Sequence, residues 1–167
     1  MTVQLYTPQE RKRRDESVWT LVQGILAPLQ FVIFLVSLGL VIRFLMTGEG
    51  FFLATLSVVI KTLVLYTIMV TGSIWEKVVF GKYLFAKPFF WEDVFSMLVL
   101  ALHTAYLLAV FVDANGIAAI SKSQQMVIAL AAYATYVVNA IQFILKLRAA
   151  RLQKNQREVN SMPEYAQ

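Results

Sequence analysis

Four long apolar stretches divide the chain, and the few charged residues mark their ends. Between Glu16 and Arg43 lie 26 uncharged positions, and between Glu49 and Glu76 another 26, charged only at Lys61. Nineteen positions separate Asp93 from Asp113, with His103 in the middle, and 23 separate Lys122 from Lys146. About 20 apolar residues in an α-helix cross the hydrocarbon core of a bilayer. The pattern therefore predicts transmembrane helices over 18–44, 51–75, 94–112 and 123–146. A barrel would need short segments of alternating polarity and would leave no runs of this length. The fold class expected is an all-α membrane protein, a four-helix bundle forming one domain over 1–167.

The connections predicted are short. Thr47-Gly48-Glu49-Gly50 is a glycine-punctuated turn, and Asp113-Ala114-Asn115-Gly116 breaks the chain after the third span. The segment 76–93, carrying Phe85, Phe89, Phe90 and Trp91, is the one connection with room for an interfacial helix or re-entrant loop. Thr7-Pro8-Gln9-Glu10 has the form of a capping box with Pro at N1, so a short basic helix is expected ahead of the first span. Its expected place is on the surface of the anionic leaflet.

Polar residues inside the spans follow helical spacing. Gln23, Gln30 and Ser37 share a face of the first span, and Thr62, Tyr66, Met69, Ser73 and Glu76 a face of the second. Glu92, Val99, His103 and Tyr106 form a stripe on the third. Tyr133, Tyr136, Asn139 and Gln142 lead to Lys146 on the fourth. Polar groups in lipid turn toward the bundle interior, so four such seams predict a polar slot inside the bundle.

Composition sharpens the picture. Of 167 residues, 59% are apolar and 15% charged, and the mean hydropathy is +0.65. Soluble domains carry about 25% charged residues, so a soluble enzyme, a disordered chain and a low-complexity chain are excluded. Twelve basic residues (Arg11, Lys12, Arg13, Arg14, Lys77, Lys82, Lys87, Lys146, Arg148, Arg151, Lys154, Arg157) fall on one side of the four spans, against Arg43 and Lys122 on the other. By the positive-inside rule both termini and the 76–93 loop face the cytoplasm. The net charge of +5 then reflects topology, and no nucleic-acid partner is expected. The first apolar stretch is too long for the core of a cleavable signal. With no cysteine and one histidine, neither a thiolate site nor a multi-histidine metal site is expected.

Three features carry candidate chemistry. Lys61 lies near mid-bilayer, where a lysine costs about 2.5–3.5 kcal/mol on insertion scales, with each interface about 15 Å away. His103 is equally central; one imidazole supports one axial bond to a metal already held in a ligand, or a hydrogen bond to a neighbouring carbonyl. Glu76, Glu92 and Asp93 flank one loop, where they serve either as helix-terminal charges or as a general acid and base beside Trp75 and Trp91. Ser, Thr and Gln in the spans are accounted for by interhelical hydrogen bonds of about 0.6 kcal/mol each. Glu92 and His103 share a face but stand about 16 Å apart along it.

Several runs resemble a known family. Tyr6-Thr7-Pro8-Gln9-Glu10-Arg11, Trp19-Thr20-Leu21-Val22-Gln23-Gly24, Lys61-Thr62-Leu63-Val64-Leu65-Tyr66 and Trp75-Glu76-Lys77 are similar to the vinyl hydratases of bacteriochlorophyll synthesis. So are Phe89-Phe90-Trp91-Glu92-Asp93-Val94-Phe95-Ser96-Met97, His103-Thr104-Ala105-Tyr106 and Ala132-Tyr133-Ala134-Thr135-Tyr136-Val137-Val138-Asn139. The resemblance spans about residues 5–152. It implies a hydro-lyase that adds water across the C3-vinyl group of a chlorophyllide or 3-vinyl bacteriochlorophyllide, giving a 3-(1-hydroxyethyl) product. It also implies the inner, intracytoplasmic membrane of an anoxygenic phototroph, with membrane lipid and other pigment-making enzymes as neighbours.

Within that reading no cofactor is expected, because the substrate brings its own magnesium. Glu76, Glu92 and Asp93 are the candidate catalytic groups. Lys61 is the expected partner of the substrate propionate, His103 a candidate axial ligand to its magnesium, and Tyr66, Tyr136 and Asn139 line the slot. Two poses compete: propionate at Lys77, Lys82 or Lys87 with the vinyl group deep, or propionate at Lys61 with the vinyl group at the carboxylates. The second is preferred because it gives Lys61 a partner. The alternative function is a non-catalytic four-helix protein that binds or delivers tetrapyrrole; a small channel is third.

Overall fold

The computed structural model describes residues 5–160, with side chains as far as Gln153. Lys154 and Arg157, counted above among the basic residues, have side chains outside the described residues. Five helices are described: α1 (Pro8–Glu16), α2 (Val18–Thr47), α3 (Phe51–Phe80), α4 (Phe90–Ala114) and α5 (Lys122–Asn160), with a 3-10 turn at Lys87–Phe89. All but α1 are long and apolar enough to cross a bilayer.

The capping box forms as the Thr7–Glu10 spacing requires. The Thr7 hydroxyl accepts from the Glu10 backbone N–H at 3.3 Å, and the Glu10 carboxylate accepts from that of Thr7 at 2.8 Å. Ser17 then caps α2 through the Trp19 N–H. Gly48 and Gly50, at φ 75° and 82°, supply the left-handed backbone that turns α2 back as α3. At the other hairpin, Gly116 takes φ 66°, and Asp113 accepts from the Ile120 N–H at 3.2 Å and the Gln125 amide at 2.9 Å.

α2 packs along α3, and α4 along α5, as two antiparallel hairpins; these meet along looser seams, α2 on α5 and α3 on α4. Phe34 of α2 fills the first seam, with its ring centroid 5.4 Å from that of Tyr133 and 5.0 Å from that of Tyr136. Val58, Val99, Tyr106, Met126 and Ala132 complete the core. The outward faces are apolar: Leu21, Ile25, Val32, Val36, Phe52, Leu63, Leu108, Ile141 and Ile144 are all exposed. A continuous belt of this kind is far larger than the apolar patches of soluble proteins and requires lipid. The chain is a multi-pass membrane protein.

Every span runs past its predicted end. α3 continues to Phe80 and α4 begins at Phe90, so the 76–93 connection shrinks to residues 81–89, whose regular structure is the 3-10 turn at Lys87–Phe89. The reason is that Glu76, Glu92 and Asp93 are buried with partners inside the helices and do not end them. α1 packs against α3. Tyr6 stacks on Phe80 at 5.7 Å, with the Arg14 guanidinium 4.6 Å from its ring centroid. Burial pushes the Tyr6 phenol above its ordinary range, against the opposing charge of Arg14. Trp75, Phe80, Phe89 and Phe143 finish an aromatic cap over this end, which carries α1 and the basic residues and is called the basic end below.

Candidate functional site along the α3–α4 seam

None of the residues in the four predicted polar seams is exposed. The helices bring them together at two depths, and the α3–α4 seam joins those depths through three polar contacts.

The deeper cluster centres on Lys61 and His103, both fully buried. Lys61 Nζ lies 3.1 Å from His103 Nε2, while His103 Nδ1 lies 2.8 Å from the Val99 carbonyl oxygen one turn back. A carbonyl only accepts, so the ring proton is assigned to Nδ1 and the Nε2 lone pair faces the lysine. Around the amine stand rings: the Tyr136 centroid at 4.0 Å, Tyr133 at 5.2 Å and Phe34 at 5.9 Å. The three ion pairs found among the described residues are Lys12–Glu16, Arg14–Asp15 and Lys146–Glu92, so Lys61 has no carboxylate. A cation here is held by ring quadrupoles and one imidazole. Tyr133 is itself anchored through its hydroxyl to Ser37, which bonds Ser57 at 2.7 Å. Five residues on from Lys61, Tyr66 bridges the same seam to Thr104 at 2.7 Å.

The shallower cluster lies at the basic end. Glu76 and Asp93 face one another across the seam, each a direct electrostatic neighbour of the other, with Glu92 beside both. Asp93 Oδ2 accepts from the Phe85 N–H at 2.7 Å and Glu76 Oε2 from the Ala86 N–H at 3.3 Å. The pair thereby holds the 81–89 loop, including Phe85 at φ 59°, a left-handed conformation that a bulky side chain adopts only when its surroundings impose it. Glu92 Oε1 pairs with Lys146 at 3.0 Å, and Lys146 also donates to the Pro88 carbonyl. The second oxygen, Glu92 Oε2, is buried without a partner among the described residues.

Between the clusters, Asn139 donates to Ser96 at 2.9 Å, joining α5 to α4. Sequence reasoning named Lys61, His103, Tyr66, Tyr136, Asn139, Glu76, Glu92 and Asp93. The structure brings Lys61, His103 and Tyr136 into one contact and Glu76, Asp93 and Glu92 into another. It leaves those two groups ten or more residues apart along α4, about 15 Å. Sequence reasoning did not identify Lys146 as the partner of Glu92, nor the Phe34–Tyr133–Tyr136 enclosure of Lys61. The stripe from Tyr133 to Lys146 was the available signal for both, since it places these side chains on one inward face.

The class defined is thus an all-α, four-span membrane protein whose polar groups line one interhelical seam from a buried lysine–histidine contact to a carboxyl cluster at one end. The chain belongs to the 2-vinyl bacteriochlorophyllide hydratase family, whose model matches residues 6–149. It is 68% identical over 149 residues to the 2-vinyl bacteriochlorophyllide hydratase of Rhodobacter capsulatus, covering 89% of this chain and 84% of that one. To the protein of the same name from Cereibacter sphaeroides it is 66% identical over 149 residues, covering 89% of each chain. No solved structure matches.

Proposed function

We propose that this chain is a hydratase that adds water across the vinyl group of a chlorophyllide or bacteriochlorophyllide, giving the 1-hydroxyethyl product. The observation that carries the reading beyond family membership is the meeting of three buried carboxyl groups at one end of the polar α3–α4 seam. Hydration needs a proton on the terminal CH2, a water on the carbon attached to the macrocycle, and return of one proton from that water. The macrocycle delocalises the cation formed between those steps, so an acid, a base and a placed water suffice.

Glu76 and Asp93 are the acid: two carboxyl groups this close support one shared proton, which passes to the terminal carbon. Glu92 is the base. Its Oε1 is occupied by Lys146, and its free Oε2 takes the proton from the attacking water. One proton leaves the pair and one returns to the cluster, so the cycle closes without a redox partner.

The loosely packed α3–α4 seam is where a flat macrocycle enters, because its contacts there are polar and exchangeable. A substrate propionate replaces His103 as the partner of Lys61, and the released Nε2 lone pair of His103 then faces the substrate magnesium. Tyr66, Tyr136 and Asn139 line this path. The membrane is the inner, intracytoplasmic one, with the basic end in the cytoplasm. Pigment-making enzymes exchange substrate and product with the protein there.

The test is incubation of membranes carrying Glu76→Gln, Asp93→Asn or Glu92→Gln with a vinyl chlorophyllide, followed by product mass. Each variant is expected to form little hydroxyethyl product. Full product from all three removes the carboxyl mechanism. Pigment that binds the purified protein and is never hydrated would instead favour the delivery role.

A further inference from the structure

Among the described residues, Gln30 Nε2 and Oε1, Asn139 Oδ1 and Gln142 Oε1 are buried without partners between the two clusters, as is Glu92 Oε2 at the edge of the shallower one, five atoms in all. Gln30 is 2% exposed and Asn139 8%. Their depths follow from contacts already described. Ser37 and Tyr133 are hydrogen bonded across α2 and α5. Gln30 lies seven residues from Ser37 toward the basic end, and Asn139 six residues from Tyr133 in the same direction, about 10 Å and 9 Å. The two side chains therefore stand at one level, and both lie on inward faces. Gln142 is one turn further along α5, and Lys146, the partner of Glu92, another turn beyond. In depth, Gln30 and Asn139 come first, then Gln142, then Glu92.

The chemistry of these atoms restricts their partner. Four of the five unmatched atoms are acceptors, and one is a donor. The polar substituents of a chlorophyllide (keto, ester and carboxylate oxygens) are acceptors, so they would leave most of these atoms unmatched. Water donates two hydrogen bonds and accepts two, and buried waters sit where two to four polar groups otherwise lack partners.

We infer that Gln30, Asn139 and Gln142 hold a short file of ordered water inside the bundle, ending at Glu92 Oε2. These are positioning residues. That the file supplies the attacking water rests on the hydratase reading; that water is present does not.

Hydroxyl-radical footprinting by X-ray pulse, on the full chain in nanodiscs without pigment, reads the water directly, because radicals born from bound water label the side chains beside it. Tyr136, one turn from Asn139 on the same face, is expected to label at least tenfold faster than Met126. Met126 is fully buried in α5 toward the opposite end and intrinsically more reactive. Gln30→Met, close in size and apolar, is expected to cut Tyr136 labelling at least fivefold and to lower kcat about tenfold at unchanged pigment KM. Wild-type Tyr136 labelling no faster than Met126 overturns the inference, and needs no variant to fold. Labelling lost in Gln30→Met with kcat intact overturns the supply role. A wild-type footprint without any hydration would count against the hydratase reading and support the water file.

Discussion

The two polar clusters on the α3–α4 seam solve the same problem in opposite ways. At the basic end, each carboxyl group has a fixed partner on a different element: Asp93 and Glu76 take the N–H groups of Phe85 and Ala86, and Glu92 takes Lys146. In mid-membrane, Lys61 and His103 have each other and a ring of aromatic faces. The first arrangement places oxygens rigidly, as proton transfer requires, because donor and acceptor must meet within hydrogen-bond reach. The second is a contact that a charged ligand can exchange into. A lysine faced by an imidazole and aromatic rings, with no carboxylate among the described residues, can take one as a partner. On the proposed mechanism the shallow cluster does the chemistry and the deep one the binding.

That division can be broken by substitution. The largest effect is expected at the acid: Asp93→Asn or Glu76→Gln lowers the rate of bound pigment by about 10²–10⁴, the range of one general acid. Measurement of kcat with a vinyl chlorophyllide checks it. Next comes Lys61→Met, for which pigment KM rises about tenfold while kcat stays within about twofold, the signature of lost uniform binding. His103→Ala is expected to weaken pigment affinity several-fold by the same route; unchanged affinity removes the magnesium-ligand role. The effect of Glu92→Gln on stability is smaller. It strips Lys146 of its carboxylate and costs about 1–3 kcal/mol, readable by thermal unfolding, and adding Lys146→Met recovers most of it. The smallest effect is at the loop: Phe85→Gly relieves a left-handed side chain and raises stability by about 1 kcal/mol.

Much of this fold is legible in the chain because lipid makes the pattern simple. Uncharged runs delimit four spans, glycines at 48, 50 and 116 mark turns, and Thr7 to Glu10 announces α1. At the α3–α4 connection the predicted ends fall short because charge reads as a boundary, whereas Glu76, Glu92 and Asp93 lie inside the helices, where tertiary partners satisfy them. The candidate site was visible as single residues on separate helices; the joining of Lys61 to His103 and of Glu76 to Asp93 is a property of the α3–α4 packing and of no local pattern. Phe85 at positive φ and the unmatched amide of Gln30 leave no local trace at all. Both are imposed by neighbours distant in sequence.

The division of labour is tested most directly by single-turnover hydration of a preformed pigment complex, comparing wild type, Asp93→Asn and Lys61→Met. Pigment saturation removes binding from the readout, and mass spectrometry follows the gain of one water. The account predicts that Lys61→Met converts its bound pigment at close to the wild-type rate while Asp93→Asn is slower by at least about 100-fold. Wild-type speed in Asp93→Asn together with a stalled Lys61→Met would contradict it and move the chemistry to the middle of the membrane.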